Sequence, residues 1–118
     1  MDWPGPIDSQ REIDIETSRA PDAPVHRTTI WVVVEDGDVY VRSLKGDDGR
    51  WYRELTANPD AVVHVGDEPV PVRAVPAGDA ESIERASEGL RRKYSDSRSL
   101  QSMLEEDILH TTVKLEPR

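Results

Sequence analysis

Apolar and polar residues alternate along this chain in a pattern that predicts strands through the first two thirds and helices after them. Ile30 to Val34 is a nearly unbroken apolar run that ends at Glu35-Asp36-Gly37-Asp38. Asp-Gly between two β-rich runs predicts a tight hairpin, because a type I′ turn needs positive φ at both central residues. Val39 to Leu44 alternates and forms the return strand. The polar stretch Lys45-Gly46-Asp47-Asp48-Gly49 leads into Trp51-Tyr52-Arg53, a short helical turn, Asn58-Pro59 and another apolar strand, Ala61 to Val65. Upstream, Glu12 to Thr17 alternates with period two and reads as a half-buried strand. Ser18 to Pro24 reads as a loop, and residues 1–11 as irregular chain.

Thr28 to Val34 places apolar side chains on both faces, which predicts a strand covered on both sides. One cover is the interior of a barrel; the other is a helix or a dimer partner. Val70, Val72 and Ala74 alternate with Pro71, Arg73 and Val75. Proline cannot donate to a sheet ladder, so this strand is expected at an edge or with a bulge. Asp79 can cap a helix whose apolar face is Ile83, Ala86, Leu90 and Tyr94, running to about Lys93. Ser95-Asp96-Ser97 can start a second helix, with Leu100, Met103, Leu104 and Ile108 as its face. Thr111, Val113 and Leu115 alternate in a closing strand. About six mostly antiparallel strands with two helices in the later half predict a mainly β fold, a small barrel or rolled sheet. The whole chain, 1–118, is long enough for one such domain.

Composition narrows the function. Hydrophobic residues are 36% and aromatics 5%, with no Phe, which makes a thin core for a monomer and favours a homodimer that buries part of the sheet. Asp+Glu is 24 against 15 Lys+Arg, a net charge of −9, so phosphate backbones are repelled and nucleic acid is a poor partner. The absence of cysteine excludes disulfides, thiolate metal sites and a cysteine nucleophile. No apolar run approaches the roughly 20 residues of a membrane span, and the first residues carry no secretory pattern, so a cytoplasmic protein is expected.

Charge is not spread evenly. Residues 26–53 contain five bases and five acids and are neutral within an acidic chain. Arg42, Lys45, Arg50 and Arg53 can converge on one anion, and Gly46 and Gly49 let backbone N–H groups approach it. Trp31, Trp51 and Tyr52 can offer surface to a flat ring. The bland alternative is a solvated loop with internally paired charges and a tryptophan that belongs to the core. His26, His64 and His110 lack metal-ligand spacing, so no metal site is expected and a histidine-built metal hydrolase is a distant reading. No Gly-x-Ser-x-Gly elbow and no P-loop are present.

One resemblance joins these features. Ser43, Gly46, Trp51-Tyr52, Leu55, Asn58-Pro59, Val63 and Val65 occur in the order and spacing seen in the flavin- and deazaflavin-binding split β-barrel superfamily. That group includes pyridoxamine-phosphate-oxidase-like proteins and deazaflavin-dependent nitroreductases. Val72-Arg73-Ala74 and Val113-x-Leu115-Glu116-Pro117 resemble the nitroreductase branch, and the likeness covers about residues 28–117. It implies an FMN-binding split-barrel dimer and an oxidoreductase using FMN or the deazaflavin coenzyme F-420. Carried over by position, Arg42, Ser43, Lys45 and Gly46 meet the cofactor phosphate. Trp51, Tyr52 and Arg53 line the wall with Trp31, and Tyr52 is a candidate proton donor. Where some deazaflavin enzymes carry a Gly-Arg-x-x-Gly element this chain has Val25-His26-Arg27-Thr28-Thr29, so only Arg27 and His26 can substitute. The cofactor therefore stays open between FMN, the deazaflavin and none. A non-enzymatic dimeric binding module remains the alternative.

Overall fold

The computed structural model describes residues 3–118. Seven strands form one sheet: β1 (Ile13–Thr17), β2 (His26–Ile30), β3 (Val33–Glu35), β4 (Asp38–Val41), β5 (Asp60–Val65), β6 (Glu68–Pro76) and β7 (Val113–Pro117). Their order is β2-β1-β5-β6-β7-β4-β3, and every neighbouring pair is antiparallel. Three α-helices accompany them: α1 (Arg50–Ala57), α2 (Ala80–Lys93) and α3 (Leu100–Met103). The sheet curls into a half-barrel, as a split barrel requires.

The curl comes from a break in the predicted strand Thr28–Val34. His26–Ile30 pairs with β1 at one edge of the sheet, and Val33–Glu35 pairs with β4 at the other. One ten-residue segment, 26–35, thus supplies both edges, with Trp31-Val32 as its corner. The apolar run divides between two cores. Ile30 and Val32 join the barrel interior with Ile13, Ile15, Val39, Val63, Val72 and Leu115. Val33 joins Tyr40, Ala86, Leu90 and Tyr94 beneath α2. The second cover of this strand is therefore a helix. Its close approach is visible at Gly89 of α2, where an added Cβ would lie 3.0 Å from Val33 Cβ.

A corner leaves backbone groups without ladder partners, and buried ones need substitutes. Tyr94, fully buried, provides them. Its hydroxyl accepts from Val32 N–H at 3.0 Å, and it lies 2.7 Å from Arg11 O and 3.0 Å from Val32 O. Lys93 Nζ adds a donor to Val32 O at 2.7 Å. Burial pushes the Tyr94 pKa up and the Lys93 pKa down, in each case by disfavouring the charged form.

The Asp36-Gly37 turn forms as read, with φ of 52° and 84°, and joins Glu35 to Asp38. The prolines of β6 differ from expectation, because β6 lies between β5 and β7 in the middle of the sheet. Pro71 O accepts from Arg118 N–H, so this residue faces the β7 side, and the β6–β7 ladder begins one residue later at Val72↔Pro117. By the two-residue alternation Pro69 faces the same way. Neither proline removes a ladder donor; the strand is an edge locally, where β7 has run out.

Asp79 caps α2 by accepting from Ser82 N–H at 3.1 Å. The second predicted helix is reduced to the single turn of α3, followed by a 3₁₀ stretch, Glu106–Thr111. The Met103 carbonyl is bound by Arg42 Nη1 at 2.9 Å rather than by a helical N–H. Thr111 and Thr112 hydroxyls close the following turn onto Ile108 O and Leu109 O, both at 2.7 Å. Within the stretch read as irregular, Gly5–Ser9 is a 3₁₀ turn that plugs the barrel with fully buried Ile7; residues 1 and 2 lie outside the described residues. Among the described residues no helix is long and apolar enough to cross a membrane.

Two substitutions test this account. Tyr94→Phe keeps the ring but leaves Val32 N–H and its neighbours without their partner. A loss of about 1–3 kcal/mol in urea unfolding is expected; an unchanged midpoint contradicts a structural role for the hydroxyl. Arg42→Met should also destabilise by at least about 2 kcal/mol, since it orphans the buried groups its guanidinium serves. Wild-type stability in that variant would show those bonds to be dispensable.

Candidate functional site

A cleft of about 580 Å³ opens beside the Trp31-Val32 corner. The ends of β1 and β2 supply Glu12, Thr28, Ile30 and Trp31; the exit of β4 supplies Arg42 to Lys45. Asp48 to Trp51, at the start of α1, and Ser99 and Met103 beside α3 complete it. Helix α1 is fixed by Glu54, a buried carboxylate on its far end. Thr17 of β1 donates its hydroxyl proton to Glu54 Oε1 at 2.7 Å, and His26 Nδ1 of β2 lies 2.8 Å from Oε2. The N-terminus of α1 is thereby held toward the cleft.

Trp31 is a preset ring surface. Its indole stacks on Tyr94 with centroids 3.9 Å apart and planes within 2°. Behind Tyr94, the Arg11 guanidinium lies 4.7 Å and Lys93 Nζ 5.5 Å from the ring centre. The corner at Trp31-Val32 presents this indole, so the same packing that curls the sheet furnishes one wall. Trp51, also buried, lines the same cleft and stands at 87° to Tyr52.

Arg42 lines the cleft but its fork is already engaged. Nε donates to Thr112 Oγ1 at 2.9 Å, Nη1 to Met103 O at 2.9 Å and Nη2 to Ile83 O at 3.2 Å. Burial, with the nearby charge of Arg91, lowers its pKa to about 10, so it remains a cation at neutral pH. It ties β4 to α2, α3 and β7. Ser43 is similar: it donates to Gly46 O at 2.8 Å and its backbone N–H donates to Thr111 Oγ1 at 3.1 Å. Gly46 is buried beneath Ile108 and closes this loop. A Cβ at Gly49 would collide with Ser43 Oγ, which explains why glycine stands where the loop enters α1.

Lys45 and Arg50 behave differently. Both are exposed at the cleft, and neither pairs with a carboxylate among the described residues. Seven other bases (Arg11, Arg27, Arg85, Arg91, Arg92, Lys114 and Arg118) each do. The first-turn N–H groups of α1 are also uncapped, since Gly49 offers no side chain. Two free cations and a helix N-terminus thus meet on one side of the cleft, which is the chemistry of an anion site.

The structure therefore brings together Trp31, Arg42, Ser43, Lys45 and Trp51 of the predicted set. It does not bring in the rest. Arg27 pairs with Asp14 at 2.7 Å on the outside of the β1–β2 hairpin, and Arg53 is exposed on α1 away from the cleft. Tyr52 faces a separate groove. The three histidines meet three different carboxylates: His26 with Glu54, His64 with Glu16 at 3.2 Å and His110 with Asp47 at 2.8 Å. Arg50 emerges as a cleft residue more clearly than the predicted Arg53, because the helix starts one turn earlier than the sequence suggested. Glu12 was missed, although the register Ile13↔Ile30 carries it to the corner beside Trp31. Ser99 gave no sequence signal, and Met103 read only as part of a helix face.

No curated protein matches this sequence. Solved structures do match in fold. An F420-H2 dependent reductase superposes with a TM-score of 0.68 at 22% identity, over 91% of this chain and 94% of that one. HutZ, described as a heme storage protein from Vibrio cholerae, gives 0.66 at 12% identity over 95% and 86% of the two chains. A candidate pyridoxamine 5'-phosphate oxidase from Listeria innocua gives 0.62 at 15% identity over 95% and 86%. At these identities the likeness is one of fold, and it is the split barrel that the residue pattern implied. The sequence pattern of DUF2255, described as an uncharacterized protein conserved in bacteria, matches residues 5–115, so the chain belongs to that family, and its fold is a split barrel.

Proposed function

We propose that the cleft binds a flavin-type cofactor, FMN or the deazaflavin coenzyme, and that the protein is an oxidoreductase. The observation that carries this reading is the pairing of an unpartnered cation pair, Lys45 and Arg50, at the start of α1 with a pre-stacked indole, Trp31, in one cavity of about 580 Å³. A volume of that size suits a cofactor. The donor set fits a phosphate at one end and a flat ring along the other wall.

Lys45, Arg50 and the first N–H groups of α1 hold the phosphate in this reading. Arg42 and Ser43 act one step back: they fix the loop that presents Lys45 and Gly49. Trp31 and Trp51 orient the ring and exclude water from it. When bound, a flavin or deazaflavin supplies the hydride chemistry. Tyr52 has no part in it, because its side chain lines another groove. The groups in the cleft that can hold or pass a proton are the carboxyls of Glu12 and Asp48 and the hydroxyls of Thr28 and Ser99. The reading includes a homodimer. Leu44, 52% exposed on the cleft rim, and Val25, 63% exposed, are the large apolar side chains a second copy would cover.

Parallel fluorescence titrations with FMN and the deazaflavin coenzyme test the proposal. One of them should bind saturably, with affinity that falls as salt rises. Replacing Lys45 and Arg50 together by alanine should weaken it about tenfold or more, the loss expected for charge-assisted hydrogen bonds. Arg53→Ala should stay within about twofold, because a rim charge outside the cleft is screened. A well-folded protein that binds neither cofactor sinks the oxidoreductase reading and leaves the binding module.

A further inference from the structure

A second concavity, of about 340 Å³, lies on another face of α1. Its walls are apolar, chiefly Leu55, Pro59, Ala74 and Val113. Two threonine hydroxyls at its margin are already engaged: Thr56 donates to Tyr52 O at 2.9 Å, and Thr112 to Leu109 O at 2.7 Å. Two polar groups are not. The Tyr52 hydroxyl makes no hydrogen bond among the described residues, and His110 uses only one of its ring nitrogens, with Nε2 2.8 Å from Asp47 Oδ1.

The chemistry of the ring defines what can join it. A nitrogen facing a carboxylate carries the proton, so the neutral imidazole presents Nδ1 as an acceptor. Tyr52 can donate. A ligand that completes both has one group that gives a proton to Nδ1 and takes one from Tyr52, on an otherwise apolar body. A hydroxyl does both. An anion is disfavoured by Asp47 beside the ring and by the net charge of −9. A flat body suits a groove walled by prolines and an aromatic ring.

We propose that this groove is a second ligand site, selective for small phenol-like molecules whose hydroxyl bridges Tyr52 and His110. It does not require a cofactor in the larger cleft. Through Asp47 it touches the same 3₁₀ turn, Gly46–Asp48, that follows Lys45. Occupancy of the groove is thus read directly by the loop that carries one of the cleft cations.

The test is an NMR titration of the ¹⁵N-labelled protein with 4-methylphenol, toluene and 4-methylbenzoate. Saturable binding of 4-methylphenol is expected in the low millimolar range, with shifts centred on Leu55, Ala74 and Val113. Toluene should bind at least about fivefold more weakly, the worth of one to two net hydrogen bonds. Tyr52→Phe and His110→Ala should each weaken 4-methylphenol by about three- to tenfold. Tyr52→Phe removes a hydroxyl with no partner, so its fold is retained and the readout stays clean. Equal binding of toluene, tighter binding of 4-methylbenzoate, shifts elsewhere, unchanged affinity in both variants, or no binding at all each overturn the proposal.

Discussion

The hydroxyl of Tyr94 stands at the corner where one segment leaves one edge of the sheet and joins the other. Without a polar group there, the Val32 N–H would be buried and unpaired, a loss of about 1–3 kcal/mol, and a continuous strand would be the better solution. The hydroxyl removes that penalty, so the apolar run can turn and feed two cores. The ring of the same residue stacks on Trp31 and so decides how the cleft wall is presented. Fold and cleft wall thus depend on one side chain.

The electrostatics follow a similar division of labour. Among the described residues Arg11, Arg27, Arg85, Arg91, Arg92 and Arg118 each have a carboxylate close by. Arg42 instead spends its donors on carbonyls and a hydroxyl inside the protein, where they draw three separate elements onto β4. Lys45 and Arg50, only a few residues further on, remain solvent-facing and without an ion pair. In a molecule with a net charge of −9, these two cations and Arg42 outnumber the carboxylates of Glu12 and Asp48 on the same cleft, a local departure from the acidity of the chain that an anionic ligand would find at short range.

Much of the fold was legible. The Asp36-Gly37 hairpin, the Asp79 cap, the apolar face of α2 and the alternation in β1, β5 and β7 follow from local chemistry that the neighbouring residues alone determine. The break at Trp31-Val32 was not, because nothing in Ile30 to Val34 distinguishes a strand covered on both sides from one that changes partners. The cue lies 62 residues away from Val32, at Tyr94. Likewise β6 read as an edge strand, and only the point where β7 stops reveals how a central strand tolerates Pro69 and Pro71. At the candidate site, residue type pointed to Trp31, Lys45 and Trp51, and the structure sets all three on one cleft. It could not show that the Arg42 fork is engaged inside the protein, since a buried arginine and a ligand-binding one have the same letter, and burial is settled by the tertiary structure. Tyr52 was drawn in by its neighbour, yet adjacent residues on a helix point about 100° apart.

The strand order carries one more consequence, for the timing of assembly. β7 lies between β6 and β4, and it is the last strand in the chain. Before residues 113–117 are synthesised, β2-β1-β5-β6 and β4-β3 are two separate ribbons joined by their shared corner and by the segment 42–59 that carries α1. Each ribbon can zip early from local hairpins, but the seam between them closes last and across a long sequence separation, the slow kind of contact. A nascent chain therefore holds an open, sticky sheet on the ribosome until its final strand arrives, and any guarding of that surface by a chaperone would have to last until then.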